Sequence, residues 1–218
     1  MDKFDLILII VIGSLLLPII SGLLRLSRLK IEMALFLWLF IFMFVEEVYM
    51  EAVYHIYHTV PYWLHHIYGP IEYIIIIFVF SRWIDNSIIK KVLWISVPIN
   101  IAYAIISVLT FESLNKTNSS LVLIFCVIYM FISVYVIFTL FTKDRGDVTS
   151  DYKFWMSSGL LIYSSGSLLY FAFYDFLVTY YVWLFHNICN VIAHIFYAKG
   201  FLCLPKKEGS ANISPDTT

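Results

Sequence analysis

Residues 46–72, EEVYMEAVYHIYHTVPYWLHHIYGPIE, bring together Glu46, Glu47, Glu51 and Glu72 with His55, His58, His65 and His66. That window holds four of the six histidines of a 218-residue chain that is 61% hydrophobic and 13% charged. Carboxylates and imidazoles are costly inside or beside a bilayer. They persist where they pair, line a wet cavity, or bind a proton, a metal or a ligand. Glu47, Glu51, His55 and His58 are spaced by four, four and three, so a helix places them on one face, with Glu46 about a quarter-turn away. Further on, HNICNVIAH sets His186, Asn190 and His194 on a second stripe that continues to Tyr197, with Asn187 and Cys189 beside it. Imidazole and carboxylate together suit zinc or another divalent transition metal, and Glu51, His55, His58 and His186 are the candidate ligands. An open coordination position would permit hydrolysis, with a glutamate as general base. The compact signatures H-E-x-x-H and H-x-x-x-H are both absent. The competing reading is a set of interhelical hydrogen bonds in which Glu–His pairs neutralise one another. His65 and His66 read as interfacial or loop residues, and Asp175 as an interfacial acid.

The elements that must position these groups are apolar runs of about 20 residues, the length a helix needs to cross the hydrocarbon. Seven such runs occur, at about 4–24, 31–54, 62–84, 92–111, 120–142, 154–174 and 179–203. They predict an all-α fold, a polytopic membrane protein built as a seven-transmembrane-helix bundle, in one domain over 1–205. The mean hydropathy of +0.88 agrees. Continuous apolar runs of this kind satisfy their backbone as helices rather than as an open sheet. The polar residues 206–218, KKEGSANISPDTT, read as a disordered cytoplasmic tail.

Charge gives the orientation. With seven spans, Arg25, Arg28, Lys30, Arg82, Lys90, Lys91, Lys143, Arg145, Lys153, Lys199, Lys206 and Lys207 fall on one side, against Lys3 and Lys116 on the other. The positive-inside rule puts the rich side in the cytoplasm, hence the N-terminus outside and the C-terminus cytoplasmic. The first run is long for a signal-peptide core, lacks a basic n-region and has no A-x-A site, so it is read as a span. Cys126, Cys189 and Cys203 lie inside predicted helices without C-x-x-C spacing. The net charge of −1 gives no reason to expect nucleic acid as a partner.

Pro18 and Pro98 are expected to bend the first and fourth spans. Pro70 either breaks the third span at membrane depth or opens it after a loop. In SSGLLIYSSGS, Gly159 and Gly166 fall seven apart among serines, a pattern that lets membrane helices approach closely. If the second, third and seventh spans adjoin, Glu47, Glu51, His55, His58, Glu72, His186, Asn190 and His194 converge on one outward-facing polar pocket.

At WLHHIYGPIEY, FWMSSGLLIYSSGSLLYF and HNICNVIAHIFYAKGF the chain resembles small uncharacterised seven-helix inner-membrane proteins of Gram-negative bacteria. The resemblance implies a seven-helix bundle in the cell inner membrane and no particular activity. Two other seven-helix groups fit less well. Microbial rhodopsins place a Schiff-base lysine in the middle of the last helix, whereas Lys199 lies at its end. The zinc hydrolases of the alkaline ceramidase and progestin/adiponectin-receptor group pair histidines four apart there, whereas His186 and His194 are eight apart.

Three functions remain open on these residues. The first is an integral membrane sensor or binding protein that admits a ligand, ion or protons to the Glu/His pocket and signals through a cytoplasmic or membrane partner, since the chain carries no output domain. The second is a metal-dependent membrane hydrolase acting on lipid or a small amphiphile. The third is a proton- or metal-coupled transporter.

Overall fold

In a computed structural model of the chain, residues 3–110, 114, 119–143, 147–173 and 180–205 are described, with side chains from residue 6 onward. Eight α-helices account for nearly all of them: α1 (Lys3–Ser14), α2 (Leu16–Leu24), α3 (Ile31–Tyr57), α4 (Trp63–Trp83), α5 (Ser87–Thr110), α6 (Ser119–Lys143), α7 (Tyr152–Phe173) and α8 (Tyr180–Leu202). Short 3-10 turns at Leu26–Arg28 and Val148–Ser150 complete them, and no strand occurs among the described residues. Five stretches are long and apolar enough to cross a membrane: Leu6–Leu24, Trp63–Trp83, Ser87–Thr110, Ser119–Lys143 and Tyr152–Phe173. The acids and histidines of the predicted site concentrate on α3 and α8, of 27 and 23 residues.

Every predicted apolar run is helical, with two adjustments. The first is broken rather than bent. Pro18 has no N–H to offer the carbonyl of Ser14, and the chain turns at Leu15, where Leu15 N bonds back to Ile12 O. The fourth begins at Ser87, ahead of the predicted 92, because the Asn86 side chain accepts from Ile88 N (2.9 Å) and Ile89 N (3.2 Å). This is an N-cap that consumes two otherwise orphan donors. Pro70 and Pro98 both lie inside helices. Lys116, Arg145, Asp175 and the tail 206–218 lie outside the described residues.

The helices α1/α2, α3, α4, α6, α7 and α8 pack in a closed ring, each on the next and α8 back on α1 and α2; α5 packs outside, mainly on α4. A polar clasp holds it there, with Tyr73 Oη 2.6 Å from Ser96 Oγ and Asn100 Nδ2 donating to the same phenol oxygen at 3.2 Å. The tightest seam is α7 on α8, where glycine permits contact that a side chain would block. A Cβ on Gly166 would stand 2.5 Å from Cys189 Cβ, and one on Gly159 would stand 2.7 Å from the Tyr197 ring. The small-residue stripe therefore packs helices together, as its spacing predicts.

The two ends of the bundle differ. One half is solid, filled by Met33, Phe36, Phe40, Ile77, Phe80, Met156 and Phe201, each at most 2% exposed. Around that end lie Arg25, Arg28, Lys30, Arg82, Lys90, Lys91, Lys143, Lys153 and Lys199, at or near helix ends. Arg82 Nε donates to Glu32 Oε1 at 2.6 Å, and Lys143 pairs with Asp85 in the α4–α5 connection. That hydrogen bond holds the Asp85 carboxyl below the usual carboxylate range. The other half encloses a cavity.

Candidate functional site

The cavity, of about 400 Å³, takes its walls from α1, α3, α4, α6, α7 and α8 and none from α5. Each wall is one helical face. α3 contributes Met43, Glu46, Glu47 and Met50, spaced three, one and three, and α4 contributes His65, Tyr68, Gly69 and Glu72, with Tyr62 just before it. From α8 come Trp183, His186, Asn187, Asn190 and His194. Apolar side chains line it as well, among them Leu8, Val11, Ile12 and Leu15 of the first run and Phe125 of α6, and Cys126 and Tyr129 of α6 stand beside them. Tyr163, Ser167 and Tyr170 face it from α7.

Five of the eight predicted pocket residues thus come together: Glu47, Glu72, His186, Asn190 and His194. Glu51, His55 and His58 do not line it. α3 runs on past the start of its neighbours, so its last two turns project from the bundle, with Ile56 and Tyr57 each 68% exposed. There His55 Nε2 meets Glu51 Oε1 at 3.0 Å on the helix surface. His58 takes φ 53°, a left-handed residue that closes α3 by bonding its N–H to Tyr54 O at 2.8 Å. The proposed metal set of Glu51, His55, His58 and His186 is therefore split between a surface turn and the cavity. Among the described residues no three His, Cys, Asp or Glu side chains gather closely enough to hold a metal ion.

Two residues set aside on the sequence belong to the site. Glu46 is 5% exposed and faces the cavity with Glu47, because the cavity-facing stripe of α3 runs 43–46–47–50 rather than 47–51–55–58. His65, expected at the interface, sends Nδ1 to 3.2 Å from Glu46 Oε1, an ion-pair distance outside hydrogen-bonding geometry. The signal available in the sequence was the i, i+3, i+4, i+7 pattern of Met43, Glu46, Glu47 and Met50.

The α8 stripe is held in detail. His186 Nε2 lies 3.2 Å from Asn190 Nδ2, and the imidazole stacks on Tyr170 with ring centres 4.9 Å apart at 17°. His194, 4% exposed, places Nδ1 2.7 Å from Ser14 Oγ. Below these groups the cavity closes. His194, Glu72 and Tyr163 separate it from a void of about 20 Å³ walled by Phe36, Phe40, Ile76, Leu160 and Tyr197. The Phe40 ring lies tilted against Tyr197 (4.8 Å) and meets Phe201 edge-on (6.1 Å), so large aromatics fill the space between α3 and α8.

The electrostatics of the lining are one-sided. Glu46, Glu47 and Glu72 supply three carboxyls, and no lysine or arginine lines the cavity among the described residues. The hydroxyls of Tyr68 and Tyr129 and the amide oxygen of Asn190 are buried without a hydrogen-bond partner. Buried polar groups in this condition are rare, and each leaves a hydrogen-bonding capacity that the protein does not itself satisfy. No protein family's model matches this chain, and no curated protein or solved structure matches it either.

Proposed function

We propose that the protein is an integral membrane binding protein or sensor whose ligand enters the Glu/His cavity from outside the cell. The observation that carries this reading is the cavity itself. Carboxyls, imidazoles and unpartnered hydroxyls converge on it, and it ends blindly on packed aromatic and aliphatic side chains halfway through the bundle. A blind polar cavity in an apolar protein suits binding. The solid half beneath it gives a transporter no polar path to follow.

In this reading the seven apolar runs all span the membrane. α3 and α8 tolerate their acids and histidines because those groups face the cavity, project beyond the bundle or, for Glu32, pair with Arg82. The basic end is cytoplasmic by the positive-inside rule, which sets the cavity outward and the basic connections toward an intracellular or membrane partner. The metal-dependent hydrolase is not carried forward, since its donor set is divided between two places.

Native mass spectrometry of the full-length protein, released from the membrane in which it was made, tests the reading. The expected result is a non-lipid small molecule bound one to one and lost in Asn190→Ala or Glu72→Gln. Wild type and both variants carrying the same set of molecules would contradict it.

A further inference from the structure

The cavity's charge and its rings together name the class of ligand. This inference rests on reading the cavity as a binding site. Three carboxyls face a space of about 400 Å³, and among the described residues the only basic side chain at ion-pair distance from any of them is His65, on Glu46. Glu47 and Glu72 have neither an ion-pair nor a hydrogen-bond partner among the described residues. Carboxyls confined in this way are stable when a proton or a cation neutralises them. Among the described residues an inorganic metal ion finds no three-donor cluster. What it does find is a lining of aromatic rings from four helices, among them Tyr68, Tyr129, Tyr163 and Trp183. Ring faces attract organic cations, and desolvated rings do so more strongly than exposed ones. The volume lies in the range of about 300–1,000 Å³ typical of small-molecule sites.

We propose that the cavity takes a small organic cation, an amine or quaternary ammonium bearing an apolar group. Its charge sits among Glu46, Glu47 and Glu72, and its apolar part lies against the rings. The unpartnered oxygens of Tyr68, Tyr129 and Asn190 accept the N–H donors of an ammonium ligand, or water in the quaternary case.

The test is a charge series of one shape, measured by calorimetric titration of the full-length protein in lipid nanodiscs: 2-phenylethylamine, 2-phenylethanol and phenylacetate. The amine is expected to bind at least about tenfold more tightly than the alcohol, with the carboxylate weakest. Glu72→Gln, and independently Glu47→Gln, should remove most of that preference while leaving alcohol binding in place. The surface variant Glu51→Gln should leave it unchanged. An alcohol that binds as tightly as the amine, or a carboxylate that binds best, overturns the cation assignment and leaves the binding reading standing. Binding of none of the three overturns the assignment as well. The binding reading then rests on whether the purified protein retains a small molecule.

Discussion

Ser14 Oγ lies 2.7 Å from Nδ1 of His194, joining the break in the first span to the floor of the cavity across 180 positions of chain. Ser14 also donates its single hydroxyl proton to Val11 O at 2.6 Å, so it receives from the imidazole. His194 is thereby assigned the Nδ1–H tautomer from its hydrogen-bond network, and Nε2 is left as an acceptor. The Ser14 hydroxyl thus decides which imidazole atom is available at the cavity floor.

Removing that serine should therefore be felt. Ser14→Ala leaves a buried N–H without a partner, and we expect a loss of about 1–3 kcal/mol in stability. Ser165→Ala removes only a bond to its own helix, Ser165 Oγ to Leu161 O, and should change little. Thermal unfolding of the two variants in the same detergent distinguishes them, and equal midpoints would count against the assigned contact.

The α7–α8 seam makes a steric prediction. Gly166→Ala puts a methyl 2.5 Å from Cys189 Cβ, so the helices must part, at a cost of about 1–3 kcal/mol. Gly69→Ala meets only the edge of the Phe125 ring, at 3.7 Å, and should be neutral or stabilising by up to about 1 kcal/mol through helix propensity. Unfolding midpoints of both variants, compared with wild type, give the check.

At the basic end, Arg82 and Lys143 should behave differently. Arg82→Ala strands Glu32, which is 8% exposed, without its guanidinium. The guanidinium is itself half-exposed, so we expect about 1 kcal/mol, or about 2–4 °C in Tm for a chain of this length. Lys143 and Asp85 are both solvent-exposed, and Lys143→Ala should leave Tm unchanged.

Orientation follows from single cysteines at the two ends. In a protein with Cys126, Cys189 and Cys203 replaced, Glu51→Cys should react with a membrane-impermeant maleimide on intact cells. Lys91→Cys should react only after the membrane is opened. The reverse pattern would turn the bundle over and place the cavity on the cytoplasmic side.

Much of the architecture was legible because apolar run length is a strong signal, and all seven runs are helical. The break at Leu15 was only partly so: Pro18 marks it, but whether a proline bends or breaks a helix depends on what receives the freed carbonyl. The early start of α5 was written in Asn86, a cap that hydropathy does not register. Within the site, the α8 stripe 186–190–194 lines the cavity because a helix packed on its neighbours along its length keeps one face inward. α3 misled because it outruns its neighbours. Glu51, His55 and His58 also drift off the 43–46–47–50 stripe, so they share neither the direction of the cavity-facing residues nor their environment. Tyr68, Tyr129 and Tyr163 carried no signal of their own in a chain with 16 tyrosines.

The central claim is a polar cavity reached from the outer side alone, and one cysteine tests it most directly. With the three native cysteines replaced, Asn190→Cys is exposed to a small, impermeant trimethylammonium thiosulfonate, in parallel on intact cells and on inside-out vesicles. The account predicts modification from the outside, slowed in the additional presence of Glu72→Gln because the cationic reagent loses its attraction, and none from the inside. Modification from the basic face, or no modification of Asn190→Cys where the surface variant Glu51→Cys reacts fully, would contradict it.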